Sequence, residues 1–238
     1  MDSKPFQFKQ FRVVQNHTTH KVGTDGVLIG AWVSIGKGDQ WMLDIGTGTG
    51  LIALMLAQRS TAKTRIDAVE IEAVDAQQAQ ENVVQSQWPE KIRVHHTAVQ
   101  QYFPERSYDL IVTNPPYFVN SLLPPEEKRS QARHTHQLSF EDLLNNTARL
   151  LTKRGRLALI LPYAEGLNFI RLACGFQLFP LRRTIFRTRS HKPPERVLVE
   201  LGYEEQPESA TEIILYVNES ERWSEEYQNL TQEFYIGR

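Results

Sequence analysis

Trp41-Met42-Leu43-Asp44-Ile45-Gly46-Thr47-Gly48-Thr49-Gly50 is the stretch that decides the fold. Its first half reads as a short buried strand running straight into a glycine-rich turn. The following Leu51-Ile52-Ala53-Leu54-Met55-Leu56-Ala57 is apolar enough for a buried helix. Strand, glycine loop and helix in this order form the nucleotide site of open α/β sheets, where backbone must pass close to a ligand. The spacing, D-x-G-x-G-x-G, departs from the dinucleotide fingerprint, and no Lys-Ser or Lys-Thr closes the loop, which excludes a phosphate-cradling P-loop. A second strand, Arg65-Ile66-Asp67-Ala68-Val69, ends on Glu70, 26 residues after Asp44. An acidic side chain there can accept hydrogen bonds from both hydroxyls of an adenosine ribose. Alone, a glycine loop can be purely structural.

The second informative stretch is Leu110-Ile111-Val112-Thr113, followed by Asn114-Pro115-Pro116-Tyr117. The two prolines fix φ near about −65° and bias the preceding residues to extended geometry. That leaves the Asn114 carboxamide oxygen and the Pro115 carbonyl to accept two hydrogens from one planar amine. Tyr117 can stack on the ring that carries the amine. An amine held this way keeps electron density on nitrogen and can attack an electrophilic methyl. Four such residues also make a plain Pro-rich turn. Glycine loop, Glu70 and NPPY in this order argue for the chemical reading.

Together these residues resemble a class I S-adenosylmethionine-dependent methyltransferase of the amino-methylating group. Lys21-Val22-Gly23-Thr24-Asp25-Gly26-Val27-Leu28-Ile29-Gly30-Ala31-Trp32, just before the first core strand, narrows the likeness. From Phe6 to Ile236 the chain resembles the bacterial tRNA(Val) adenine-N6 methyltransferase family. The resemblance implies a Rossmann-like α/β fold with a seven-stranded, mostly parallel sheet and an antiparallel edge strand. It implies S-adenosyl-L-methionine as cofactor and methyl transfer to the N6 amine of a tRNA adenosine, adenosine 37 beside the anticodon. Asn114, Pro115 and Tyr117 then carry the chemistry. Lys21, Thr24, Asp25, Asp44, Gly46, Thr47, Gly48, Gly50, Glu70, Ala98, Val99 and Asn114 are implied as cofactor-facing. One departure stands out: many relatives place an acidic residue after the third strand for the cofactor's adenine amine, and here Ala98 occupies that position. Backbone groups near Ala98 and Val99, or Gln100, are left for that contact.

The 238 residues predict one α/β domain. Residues 1–40 read as an N-terminal cap carrying the KVGTDG segment and 41–238 as the methyltransferase domain, the two forming one compact unit. No apolar run approaches the roughly 20 residues that span a bilayer, and Met1–Pro5 lacks the apolar segment of a signal peptide. The single cysteine, Cys174, excludes an internal disulfide and fits a reducing compartment, so a cytoplasmic location is expected. Cys174 itself reads as a packed helical residue. The histidine groups (His17 and His20, His95 and His96, His134 and His136) lack the Cys or carboxylate spacing of a metal site. Neither a metal nor a membrane is expected, and the chain is expected to be monomeric.

A net charge of −1 conceals a division along the chain. Residues 151–200 hold ten Lys or Arg against three Glu, whereas residues 201–238 hold two Arg against nine Glu. Within the basic stretch, strand periodicity puts Arg183, Arg187 and Arg189 on one side, a stripe able to hold RNA phosphates. A solvated strand edge neutralised by the acidic tail is the competing reading. Between NPPY and the next helix, Phe118–Ser139 is long enough for a lid over the substrate base, with Arg129, Arg133, His134 and His136 available for contacts.

The remaining pattern predicts strands at 41–45, 65–70, 92–97, 109–113 and 156–161, and helices at 49–58, 73–86, 140–151 and 165–174. Phe176–Phe186 and Val197–Tyr203 read as an antiparallel pair, residues 220–234 as a terminal helix, and Thr24 or Asp25 as the cap of a helix over Val27–Val33. NPPY suits any planar amine, so an N5-glutamine methyltransferase or a DNA or ribosomal RNA amino-methyltransferase remains open. The 40 residues before the first core strand leave no room for the helical domain usual in the glutamine enzymes. A vestigial RNA-binding module is the alternative outside enzymes; intact glycines, Glu70 and Asn114 oppose it, and Ala98 keeps it open.

Overall fold

Apolar strands alternating with helices build one eight-stranded sheet in the computed structural model, which describes residues 4–16, 18, 21–115, 138–218 and 220–237. A short hairpin, β1 (Phe6–Gln7) with β2 (Arg12–Val13), stands apart from it. The main sheet comprises β3 (Trp41–Ile45), β4 (Arg65–Glu70), β5 (Ile92–His96), β6 (Tyr108–Thr113), β7 (Leu151–Pro162), β8 (Phe179–Arg187), β9 (Arg196–Gly202) and β10 (Ser209–Ile214). Their spatial order is β10-β8-β9-β7-β6-β3-β4-β5. From β3 the chain moves outward through β4 and β5, then returns to the other side of β3 as β6. That reversal opens a crevice between the carboxyl ends of β3 and β6, where ligands of open α/β sheets bind.

Both faces of the sheet are covered, because alternate side chains of each strand enter different cores. Met42, Leu110, Val112, Ile160 and Leu198 join one core, with α1 (Thr24–Trp32), α2 (Leu51–Arg59), α3 (Ala73–Val84) and α6 (Glu225–Thr231). Leu43, Ile45, Ile111, Leu159 and Val199 join the other, under α4 (Phe140–Leu150) and α5 (Tyr163–Cys174). Phe8, Phe11 and Val13 of the N-terminal segment belong to the first core. The α1 helix packs on α2 where its glycines permit close approach. A Cβ on Gly26 would come within 3.0 Å of Leu51 Cδ2, and one on Gly30 within 2.6 Å of Met55 Sδ.

The class I arrangement is present, with differences in detail. The sheet has eight strands rather than seven, and its antiparallel strand, β9, lies between β7 and β8 rather than at the edge. The edge strand is β10, which runs parallel to β8. It escapes periodicity because Ser209, Ala210, Thr211 and Glu212 are all exposed, so no apolar alternation marks them. Gly23, not Thr24 or Asp25, is the N-cap of α1; Thr24 and Asp25 lie in its first turn. The terminal helix is confined to Glu225–Thr231, capped by the Ser224 side chain. Cys174 ends α5 exposed rather than packed. No described helix is long and apolar enough to cross a membrane.

Candidate active site

Gly46, Gly48 and Gly50 have φ of 71°, 53° and 82°, left-handed values that L side chains rarely adopt, which is why the loop after β3 is glycine-rich. Backbone amides of Gly46 and Thr47 both donate to the Val69 carbonyl, at 2.9 and 3.1 Å, folding the loop across the end of β4. Among the described residues, a Cβ built on Gly46 or Gly48 meets nothing within 4 Å. At the base of the loop Asp44 is wholly buried. Its Oδ2 accepts from Thr47 Oγ1 at 2.6 Å and from the Ala53 amide at 3.1 Å, while its Oδ1 has no partner among the described residues. Burial pushes the Asp44 carboxyl up to about 7 against those two bonds, with nearby Glu70 adding to the rise.

Glu70, at the end of β4, is buried beside the same loop. Its Oε2 accepts from the Gly48 amide at 2.8 Å, and its Oε1 from the amides of Ile71 and Glu72 at 2.8 and 3.1 Å. Oε1 is filled by its two donors, whereas Oε2, with one, keeps lone-pair capacity for a ligand hydroxyl. The Glu70 carbonyl holds the Thr97 amide at 2.8 Å, bringing Ala98 and Val99 to the same edge of the sheet. Their carbonyls are already committed: Ala98 O to the Gln101 amide, and Val99 O to Tyr102 N and Arg149 Nη2. That leaves amide hydrogens and the Gln100 side chain as what this turn can offer a ligand.

On the other side of β3, Thr113 pairs with Ile45, so Asn114 and Gly46 leave adjacent strands at one level. The Thr113 hydroxyl donates to the Ile45 carbonyl at 2.8 Å, fastening the two exits together. Pro115 is buried and Asn114 half-buried. Tyr117, Arg129, Arg133, His134 and His136 lie outside the described residues. Lys21 and Thr24 are exposed just before and at the start of α1. Asp25 accepts from Arg196 Nε at 2.8 Å, and Arg196 opens β9 opposite Pro162, at the carboxyl end of β7. The KVGTDG segment is thereby tied to the edge of the sheet that carries Gly46 and Asn114.

Arg183, Arg187 and Arg189 differ in their partners. Arg183 meets Glu208 at 3.0 Å and Arg187 meets Glu212 at 2.5 Å, both carboxylates borne by β10 or its approach. Arg189 instead donates to two neutral carbonyls, Asn218 O and Ser220 O, at 2.5 and 3.0 Å. Three groups were not legible as site residues. Asn82 of α3, 1% exposed, donates to Thr49 O and to Val14 O and accepts from the Val14 amide, each at 2.9 Å. Its only trace in the sequence is a carboxamide on the same helix face as Ala76 and Ala79. Arg149 of α4 clamps the Val99–Tyr102 turn, and Arg196 clamps Asp25. Beneath the crevice Asp67 accepts from Tyr108 at 2.7 Å and bonds His95 at 3.0 Å. Burial pushes its carboxyl up, but bonds from His95 and Tyr108 prevail and hold it below the ordinary value.

A buried carboxylate oxygen without a partner among the described residues, a glycine cradle and a second buried carboxylate beside it suit a ligand with polar and cationic groups. The fold and crevice are those of class I S-adenosylmethionine-dependent methyltransferases. Residues 34–172 match the methyltransferase small-domain model. A crystal structure of a predicted O-methyltransferase from Agrobacterium tumefaciens superposes with a TM-score of 0.67, at 19% identity, over 88% of this chain and 96% of that one, a likeness of fold. Proteins named tRNA1(Val) (adenine(37)-N6)-methyltransferase are similar along almost the whole length. The one from Parabacteroides distasonis is 43% identical over 97% of each chain. That from Trichodesmium erythraeum is 41% identical over 99% of each, and that from Tolumonas auensis 42% identical over 99% of this chain and 98% of its own. The chain belongs to this family of methyltransferases.

Proposed function

We propose that the protein methylates the N6 amine of adenosine 37 in tRNA1(Val). The observation that carries this reading is Asn114-Pro115 leaving the sheet beside the glycine loop, in a chain 43% identical to a relative of that name over 97% of its length. S-adenosylmethionine supplies an electrophilic methyl on a sulfonium. The residues that would hold it are Asp44, Gly46, Thr47, Gly48, Gly50 and Glu70, with Ala98 and Val99 beside the adenine and Lys21, Thr24 and Asp25 closing over it. Residues 1–40 act in this as one compact unit with 41–238.

The chain's own part is alignment, a proximity effect. The Asn114 carboxamide oxygen and the Pro115 carbonyl accept the two amine hydrogens and direct the nitrogen lone pair into the crevice. These bonds strengthen as the nitrogen gains positive charge, so they favour the transition state over the bound substrate. Tyr117 stacks on the base once it leaves its neighbours in the anticodon loop. The nitrogen then sheds its proton to water, since a methylated arylammonium is strongly acidic. Cations on β8 and just beyond it, Arg189 first, hold RNA phosphates, with Arg183 and Arg187 contributing less because Glu208 and Glu212 meet them. Arg129 and Arg133 belong to the same RNA path. The enzyme works as a monomer in the cytoplasm without a metal.

Incubating the protein with labelled S-adenosylmethionine and unmodified tRNA, protein or DNA separates the substrate classes, and mass mapping locates the nucleotide. Label should enter tRNA at adenosine 37. Asn114→Ala should lower kcat at least about a hundredfold with little change in cofactor affinity. Near-normal turnover in that variant, or label confined to protein or DNA, overturns the proposal.

A further inference from the structure

Asn82 sits where three segments meet. On α3 its neighbour one turn earlier is Ala79, whose Cβ would lie 3.4 Å from a Cβ on Gly50, so this helix face is the bed of the glycine loop. The carboxamide gives one hydrogen to the carbonyl of Thr49, between Gly48 and Gly50, and the other to the carbonyl of Val14. Its oxygen takes the Val14 amide. Next along the chain, Gln15 Oε1 accepts the Val22 amide at 2.8 Å, inside the KVGTDG segment. Two carboxamides thus link the cofactor loop to the segment that reaches α1.

We infer that Asn82 is a positioning residue that couples docking of the N-terminal segment to the shape of the cofactor loop. When Val14, Gln15 and Val22 are seated, both Asn82 hydrogens and its oxygen are satisfied and the Thr49 carbonyl is aimed, which holds Gly50 at its left-handed φ. When they lift away, a buried carboxamide loses two of its three bonds and turns to find others, releasing Thr49. Buried polar groups tolerate such loss poorly, so the two segments move together. Coupling of this kind is reciprocal: a ligand that fixes the loop must tighten the N-terminal segment, and fixing that segment must improve ligand binding. The inference rests on the glycine loop being the cofactor site.

The experiment uses the full-length protein and S-adenosylmethionine itself. Hydrogen exchange at the Val14 and Val22 amides should slow at least fivefold when cofactor saturates the wild type. Asn82→Asp keeps an acceptor for Val14 N but faces two carbonyls without donors, and should abolish that slowing. It should also raise the KM for S-adenosylmethionine at least tenfold, with kcat at saturation changed less than threefold. Gln15→Ala removes only the Val22 bond and should give a smaller rise in KM. Where Asn82→Asp fails to fold, the wild-type exchange and Gln15→Ala decide the matter. Cofactor that binds the wild type without slowing either amide overturns the coupling, as does an Asn82→Asp enzyme with unchanged KM. A wild type that binds no cofactor by calorimetry overturns instead the reading of the loop.

Discussion

Replacing Asp44 with Asn is expected to make the fold more stable and the enzyme worse. Asp44 is fully buried, and burial raises its carboxyl from 3.8 to about 7 despite the bonds from Thr47 and Ala53. At about 1.4 kcal/mol per pH unit, holding the ionised form costs the native state roughly 4 kcal/mol above neutral pH. The raised value means that the folded protein keeps a proton which the unfolded chain has released. Stabilisation from that proton is complete below pH 3.8, shrinks as the pH climbs, and is gone above about 7. Between pH 5 and pH 8 the wild type should lose about 3 kcal/mol on this account, and Asp44→Asn none of it. Asn can keep the acceptor for Thr47 and Ala53, and its neutral amide takes the place of the unpartnered Oδ1, giving back part of the gain because no acceptor among the described residues meets it. Urea unfolding of both proteins at the two pH values isolates the effect, because titrating groups remote from Asp44 cancel in the difference. At pH 8 the variant should be more stable by about 2–4 kcal/mol. Its affinity for S-adenosylmethionine by calorimetry should fall at least tenfold. A variant less stable than wild type at pH 8, or with a parallel pH profile, would refute the reasoning.

Glu70→Ala should weaken cofactor binding by about 2–3 kcal/mol. It should also lower stability, since the amides of Gly48, Ile71 and Glu72 lose their acceptor; unchanged calorimetry would remove Glu70 from the site. Arg189→Ala should flatten the log–log salt dependence of tRNA binding by about one unit. Arg183→Ala and Arg187→Ala should change it less, because carboxylates already meet those side chains; three equal slopes in a salt titration would contradict the distinction. Gly30→Ala should cost about 1–3 kcal/mol in chemical denaturation, because the added methyl pushes on Met55; wild-type stability would show that α1 and α2 can part freely.

Features that constrain the backbone were legible in the sequence. Three glycines at left-handed φ, an acidic residue closing the second strand and the Asn114-Pro115 exit just after β6 each mark a position where few residue types fit. Strand and helix order followed from the same logic. What stayed hidden depends on residues far apart in the chain. Nothing local joins Arg196 to Asp25, 171 positions away, or Asn82 to Val14, 68 away, although both pairs shape the site. β10 was hidden for another reason: its exposed residues in an acid-rich segment look like a solvated tail until Arg183 and Arg187 are seen facing Glu208 and Glu212. Two of the three stripe arginines thus meet the acidic segment, while Arg189 does not.

β10 is also the outer boundary of the sheet. A strand in that position shows unpaired amides and carbonyls to the solvent, an open invitation for a strand from another molecule. Here it carries Glu208 at its approach and Glu212 within it, and Ser209 to Glu212 are exposed. Carboxylates and small polar side chains at this border discourage a second sheet from joining edge to edge. Without it, β8 would become the border, a nine-residue strand bearing Phe179, Leu181, Ile185 and Phe186. Chains cut short before Ser209 would then betray themselves first by clumping during expression, whatever remained of their catalytic residues.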